Sequence, residues 1–153
     1  MSNRLYEVED SIATVTVAAI LLALTVPADM CVQVMEASVT ASLNTSEQVE
    51  AALDRATGTA AGGAAVVAKP LETGQVATSV TELSASGAAI TGLSAQNELM
   101  GAEYAPSVVG WHYKPTDGSG RIFSPSQVII ISTLATITSA TVRVRCVFRE
   151  IGG

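Results

Sequence analysis

Thr138 to Ile151 reads TSATVRVRCVFREI, a run that alternates over its whole length. Ala140, Val142, Val144, Cys146 and Phe148 fall on one side of an extended chain. Thr141, Arg143, Arg145, Val147, Arg149 and Ile151 fall on the other, because successive side chains of a strand point to opposite faces. A period of two with one apolar side predicts a β-strand that lays one face on a core and turns a charged face outward. Just upstream, Gln127 to Thr133 holds Val128, Ile129, Ile130 and Ile131 in a row behind Pro125, which predicts a short buried strand.

The same reading extends toward the N-terminus. Val108 to Tyr113 and Arg121 to Phe123 flank the turn-forming cluster Pro115 to Gly120, a pattern that predicts a hairpin. Thr73 to Met100 is rich in Ser, Thr, Ala and Gly, consistent with short strands and a long surface connection. Thr57 to Ala65 reads as a glycine-rich loop; it lacks the spacing of a phosphate cradle, and Lys69 precedes a proline. Val49, Ala51, Leu53 and Arg55 alternate with Glu50, Ala52, Asp54 and Ala56. Helix formers are present there, yet the β-rich flanks favour a strand. Met30 to Ala41 alternates as well: Cys31, Gln33, Met35, Ala37 and Val39 on one face, and Met30, Val32, Val34, Glu36, Ser38 and Thr40 on the other.

Ile12 to Ala28 is the most apolar stretch, and it fits neither a signal peptide nor a membrane span. Glu7, Glu9 and Asp10 outnumber Arg4 just before it, where an export signal would be basic. The run is shorter than the roughly twenty residues a span needs, carries Thr14, Thr16 and Thr25, and meets Pro27. Its β-branched residues predict two consecutive strands, or one bent strand, over Thr14 to Thr25. Met1 to Asp10 is polar and reads as an N-terminal arm. Residues 11–153 then form a single all-β domain: strands every eight to twelve residues with Gly and Pro turns between them describe an antiparallel β-sandwich, of jelly-roll or Greek-key type.

Composition narrows the function. Of 153 residues 48% are apolar and only 14% are charged, against about 25% charged in an ordinary soluble domain. Such a chain is expected to bury surface against copies of itself or a larger assembly. Eight basic residues against fourteen acidic ones argue against nucleic-acid binding. A single histidine, His112, cannot build a histidine-rich metal site, and with Trp111 and Tyr113 beside it in a strand it reads as a packing residue rather than as part of a triad with Asp117. The carboxylates are scattered, Cys31 and Cys146 read as small buried hydrophobes, and neither an enzyme nor a cofactor is expected. Trp111, Tyr113 and Tyr104 fit core or interface packing, and also the stacking surface of a sugar-binding sandwich.

The segments TVTV…ILLALTVPAD (from Thr14), QVIIIST (from Gln127) and VRVRCVFREI (from Val142), set around a late turn cluster, resemble the capsid decoration or cement proteins of tailed bacteriophages. The resemblance spans Thr14 to Ala41 and Val108 to Ile151 and rests on strand order and composition. It implies a β-rich, usually trimeric virion protein, made in the host cytoplasm, that binds the outside of the major capsid shell. The alternative is a carbohydrate- or receptor-binding sandwich on a tail, head fibre or cell surface. Charge is segregated along the chain. Residues 1–120 carry four basic groups against thirteen acidic ones, while residues 121–153 carry four arginines against Glu150 alone. Arg143, Arg145 and Arg149 on the outward side of the last strand, with Trp111 and Tyr113, are therefore the candidate contact residues. The competing possibility is a solvated ladder with cross-strand partners such as Glu36.

Overall fold

The computed structural model describes residues 4–15, 19–42, 48–72, 81–84, 90–106, 110–134 and 140–152. Within them the strands are β1 (Arg4–Val15), β2 (Ile20–Thr25), β3 (Met30–Ser42), β4 (Gln48–Ala61), β5 (Ala64–Val66), β6 (Lys69–Pro70), β7 (Thr81–Ser84), β8 (Thr91–Pro106), β9 (Trp111–Tyr113), β10 (Arg121–Phe123), β11 (Val128–Thr133) and β12 (Ala140–Gly152). No helix occurs among the described residues. Every strand pairing is antiparallel, and the strands form two sheets.

The pairing is nested. β1 pairs with β12, β2 with β11, β3 with β9 and β10, and β4 with β8. The chain thus behaves as one long antiparallel ribbon folded back on itself and then wound, so that alternate ribbon segments enter opposite sheets. Sheet A runs β10-β3-β12-β1-β6, with β9 also beside β3, and sheet B runs β5-β7-β2-β11-β4-β8. This is a jelly-roll sandwich. The connection between β4 and β8 supplies β6 to the outer edge of β1, and β7 and β5 to the outer edge of β2.

One core cluster joins both sheets, drawing Tyr6, Val8 and Ile12 from β1, Val32, Val34, Ala37 and Val39 from β3, Val142, Val144, Cys146 and Phe148 from β12, and Leu22, Leu24, Leu53, Ile129 and Ile131 from sheet B. The Tyr6 and Phe148 rings stack across the β1–β12 ladder with centroids 5.7 Å apart, a pairing that contributes about 0.5–1.5 kcal/mol beyond burial. Residues 4–10 are therefore not an arm: they are the first half of β1, and the boundary expected after Asp10 falls inside a strand. The acidic residues at Glu7 and Glu9 gave the segment a solvated look, but they alternate with Tyr6 and Val8, both fully buried.

In β3 the expected strict alternation breaks at Met35. Val147 stands opposite Glu36 and Phe148 opposite Val34, so Met35 is an extra residue in a β-bulge. The inward face consequently changes parity, from Val32 and Val34 to Ala37 and Val39. Thr57 to Ala65 is mostly strand rather than loop, with β4 reaching Ala61 and β5 starting at Ala64. Gly58 permits this by taking φ of +114° where a Cβ would lie 2.3 Å from the Gly92 carbonyl oxygen.

The region read as a hairpin is also arranged differently. β9 and β10 do not pair with each other; both lie antiparallel along the same edge of β3, β9 against Ala37 to Val39 and β10 against Val32 to Val34. Residues 114–120 loop out between them, beside the bulge. The Tyr113 hydroxyl accepts the Arg121 N–H at 3.2 Å and closes the excursion. At its end the Gly120 backbone is pressed on β3, with the place of a Cβ only 1.9 Å from the Val34 carbonyl oxygen. Of the stretch from Thr14 to Thr25, β1 ends at Val15 and β2 begins at Ile20, so two strands are present; residues 16–18 lie outside the described residues, as do 73–80 and 85–89 of the middle region.

Sheet B absorbs much of the apolar composition. Leu21, Leu22, Ala23 and Leu24 are consecutive and all fully buried, and Val128, Ile129, Ile130 and Ile131 are at most 3% exposed. Neighbouring strand residues face opposite ways, so β2 and β11, at the centre of this sheet, are covered on both faces. Among the described residues only Val67, Leu71, Ile122 and Leu134 are large exposed hydrophobics.

Deleting residues 1–10 would remove Tyr6 and Val8 from the core and strip a ladder from β12. Each lost side chain costs about 1.5–3 kcal/mol, so the truncated chain is expected to melt at least about 10 °C lower than the full chain, or not to fold. Thermal unfolding followed by circular dichroism checks this; an unchanged melting temperature would return the segment to the status of an arm.

Candidate interaction face

Among the described residues no three of His, Cys, Asp and Glu come together to hold a metal ion. His112 is exposed on the β9 edge opposite Ser38. Asp117 is exposed in the 114–120 excursion; its carboxylate accepts the Ser119 N–H at 3.0 Å, and hydrogen bonding from Ser119 holds its pKa below the ordinary value. Both cysteines are free. They lie on opposite faces of sheet A, since Cys146 opposes Ala37 on the core side and Cys31 opposes Ile151 on the outer side. Burial pushes the Cys146 thiol up to about 12.

The aromatic candidates separate. Trp111, opposite Val39, is 1% exposed and belongs to the core, so it is neither a contact residue nor a stacking platform. Of the possibilities open to it, core packing, interface packing and sugar stacking, the structure shows the first, because the inward parity of Val39 carries it inside. Tyr113 is half-buried against the core, with its hydroxyl committed to Arg121. The side chain of Tyr104 lies outside the described residues.

The arginines remain as the chemistry of the outer face of sheet A. Because Val142, Val144, Cys146 and Phe148 point inward, Arg143, Arg145 and Arg149 point outward together, as the alternation predicts. Their surroundings differ. Arg145 Nε donates to Glu7 Oε1 and its Nη1 to Glu36 Oε1, each at 2.7 Å, so one guanidinium ties β12 to both of its neighbours. Glu7 and Glu36 stand either side of Val147 in the register, and the bridge between them covers that residue, only 6% exposed although it faces outward. The hydrogen bond to Glu7 raises the Arg145 pKa further. Lys114 adds a looser contact to Glu36 at 3.8 Å.

Arg143 meets Glu9 at 3.1 Å in a largely exposed pair. Arg149 makes no ion pair among the described residues and is flanked in register by Leu5 and Gln33. The sequence pattern marked Glu36 as a possible cross-strand partner; Glu7 was hidden because residues 1–10 read as an arm. In comparisons with protein-family models, curated proteins and solved structures, nothing matches this chain.

Two measurements check this geometry. Arg145→Ser leaves Glu7 and Glu36 partly buried and facing each other, and is expected to destabilise the fold by about 1–3 kcal/mol in urea unfolding, partly recovered by salt. Arg143→Ser, which breaks an exposed pair, is expected to cost no more than about 1 kcal/mol. For Cys146 the sign follows from proton uptake. The unfolded thiol ionises near its ordinary value of 9 and the folded one near 12, so between these values the unfolded chain holds fewer protons. Stability should fall as pH rises through that window, by about 1.4 kcal/mol per unit, with no contribution below it. Unfolding near pH 8 and near pH 10 should show this loss in the parent and not in Cys146→Ala.

Proposed function

We propose that the chain is a structural virion protein, a decoration or cement protein that binds the outside of a major capsid shell as an oligomer, most simply a homotrimer, and stabilises it. The observation that carries this reading is the asymmetry of the sandwich. At the centre of sheet B, β2 and β11 are buried on both faces, whereas sheet A offers an outer plate of alternating charge with apolar side chains at its edges. A plate of this kind suits lateral contact with other protein surfaces. Polar groups set register, and binding to the assembled shell but not to its separated subunits stabilises the shell by mass action. The resemblance in strand order points the same way. On this reading the protein acts on the virion surface after synthesis in the host cytoplasm.

The alternative, a carbohydrate- or receptor-binding module, calls for aromatic faces in the open, and Trp111 is in the core. Electron microscopy of the purified chain mixed with undecorated shells of its own phage is the test. Added density at regular outer positions, together with shells that resist heat or chelators better, is the expected result. Bare shells at saturating protein would overturn the proposal, and binding of a glycan in place of shells would favour the alternative.

A further inference from the structure

The outer face of sheet A is divided along its strands. One end carries the charged groups Glu9, Arg143, Arg145, Glu7 and Glu36. At the other end a single row crosses the sheet, from Ile122 on β10 through Gln33 on β3 and Arg149 on β12 to Leu5 on β1. Leu71, whose N–H donates to the Leu5 carbonyl at 3.0 Å, continues the row past β1. Ile122 is 60% exposed and Leu71 45% exposed, so two of the large exposed hydrophobics of the described residues mark the two ends of this row. Cys31 and Ile151, paired with each other and half-buried, line its border. In the middle stands Arg149, the one outward arginine of β12 that has no ion pair among the described residues.

From this juxtaposition we infer that the row centred on Arg149 is the docking site for a second copy of this chain, which supplies a carboxylate to the guanidinium. The inference deepens the proposed function and rests on its reading of the chain as self-associating. Charge complementarity selects the occupant. Residues 1–120 carry four basic groups against thirteen acidic ones, so another copy brings an excess of carboxylates, while a guanidinium flanked by Leu5 and Gln33 can bind a carboxylate through two parallel hydrogen bonds. The layout, an arginine in a row with apolar side chains at its ends and a charged region beside it, suits a protein–protein contact, where arginine is enriched. A two-fold contact centred on Arg149 would set guanidinium against guanidinium. The carboxylate therefore comes from a different part of the next copy's surface, and where the contact is head to tail a suitable rotation closes it into a ring.

Light scattering coupled to size exclusion, over a hundredfold range of concentration around micromolar, tests this on the full chain. The parent should associate, and should do so less at high salt. Arg149→Glu and Ile122→Ser should each weaken association at least about tenfold, whereas Arg143→Ser, already paired within its own sheet, should leave it unchanged. Ile122 is exposed on an edge strand, so its variant decides the matter if Arg149→Glu fails to fold by circular dichroism. A parent that stays monomeric, or folded Arg149→Glu and Ile122→Ser variants that associate like the parent, would overturn the inference. Uptake of a monomeric parent by shells would leave the proposed function standing without it, and association without shell uptake would do the reverse.

Discussion

β12 is hydrogen-bonded along nearly its whole length on both sides, to β1 and to β3, and the remaining architecture is arranged around that double ladder. Its strict period of two leaves no freedom of register: a slip by one residue would turn Val142, Val144, Cys146 and Phe148 to solvent and drive three arginines into the core. β3 adapts to it. The bulge at Met35 resets the parity of β3, so that Val32 and Val34 before it and Ala37 and Val39 after it all reach the interior against an unbroken partner. The 114–120 excursion lies beside the same bulge, where the β9 and β10 segments resume pairing on either side.

The nested order has a kinetic side. Joining β1 to β12 brings together residues from the two ends of the chain, and β2 with β11 is nearly as remote in sequence. Loop closure over such separations costs entropy before the contacts form, which places the fold among slow, high-contact-order β topologies. The Arg145 bridge belongs to the late part of this process, because Glu7 and Glu36 come within reach only when β1, β12 and β3 are in register. Its contribution is specificity of neighbours as much as stability: a guanidinium with a carboxylate on each side is satisfied in one strand order.

The two sheets divide the chemical work. Sheet B hides consecutive apolar residues on both faces, which explains how a chain with 48% apolar residues shows few large hydrophobics among its described residues. Sheet A keeps a polar outer face whose charges are mostly matched by its own strands. Basic charge concentrated late in the sequence therefore does not become a basic patch in space, because β12 is inserted between the acidic β1 and Glu36 of β3. Among the described residues Arg149 is the arginine of β12 left without an ion pair, at the end of the sheet where acidic neighbours give way to Leu5 and Gln33.

Local chemistry was legible without the fold. The alternation of Val142 to Phe148 against Arg143 to Arg149, the buried run Val128 to Ile131, and the strand character of Met30 to Ala41 and Val49 to Ala56 all follow from side-chain periodicity, which each residue carries with it. The sequence by itself therefore determined an antiparallel sandwich and the outward direction of three arginines. Tertiary structure alone decided that residues 4–10 form a strand and that β9 and β10 share one edge. It also placed Trp111 inside, and led Arg145 to carboxylates 138 and 109 residues away. The reason is physical: periodicity states which way a side chain points relative to its own strand, whereas partners are chosen by backbone ladders between remote segments, and nothing in the local pattern names the strand that will lie alongside.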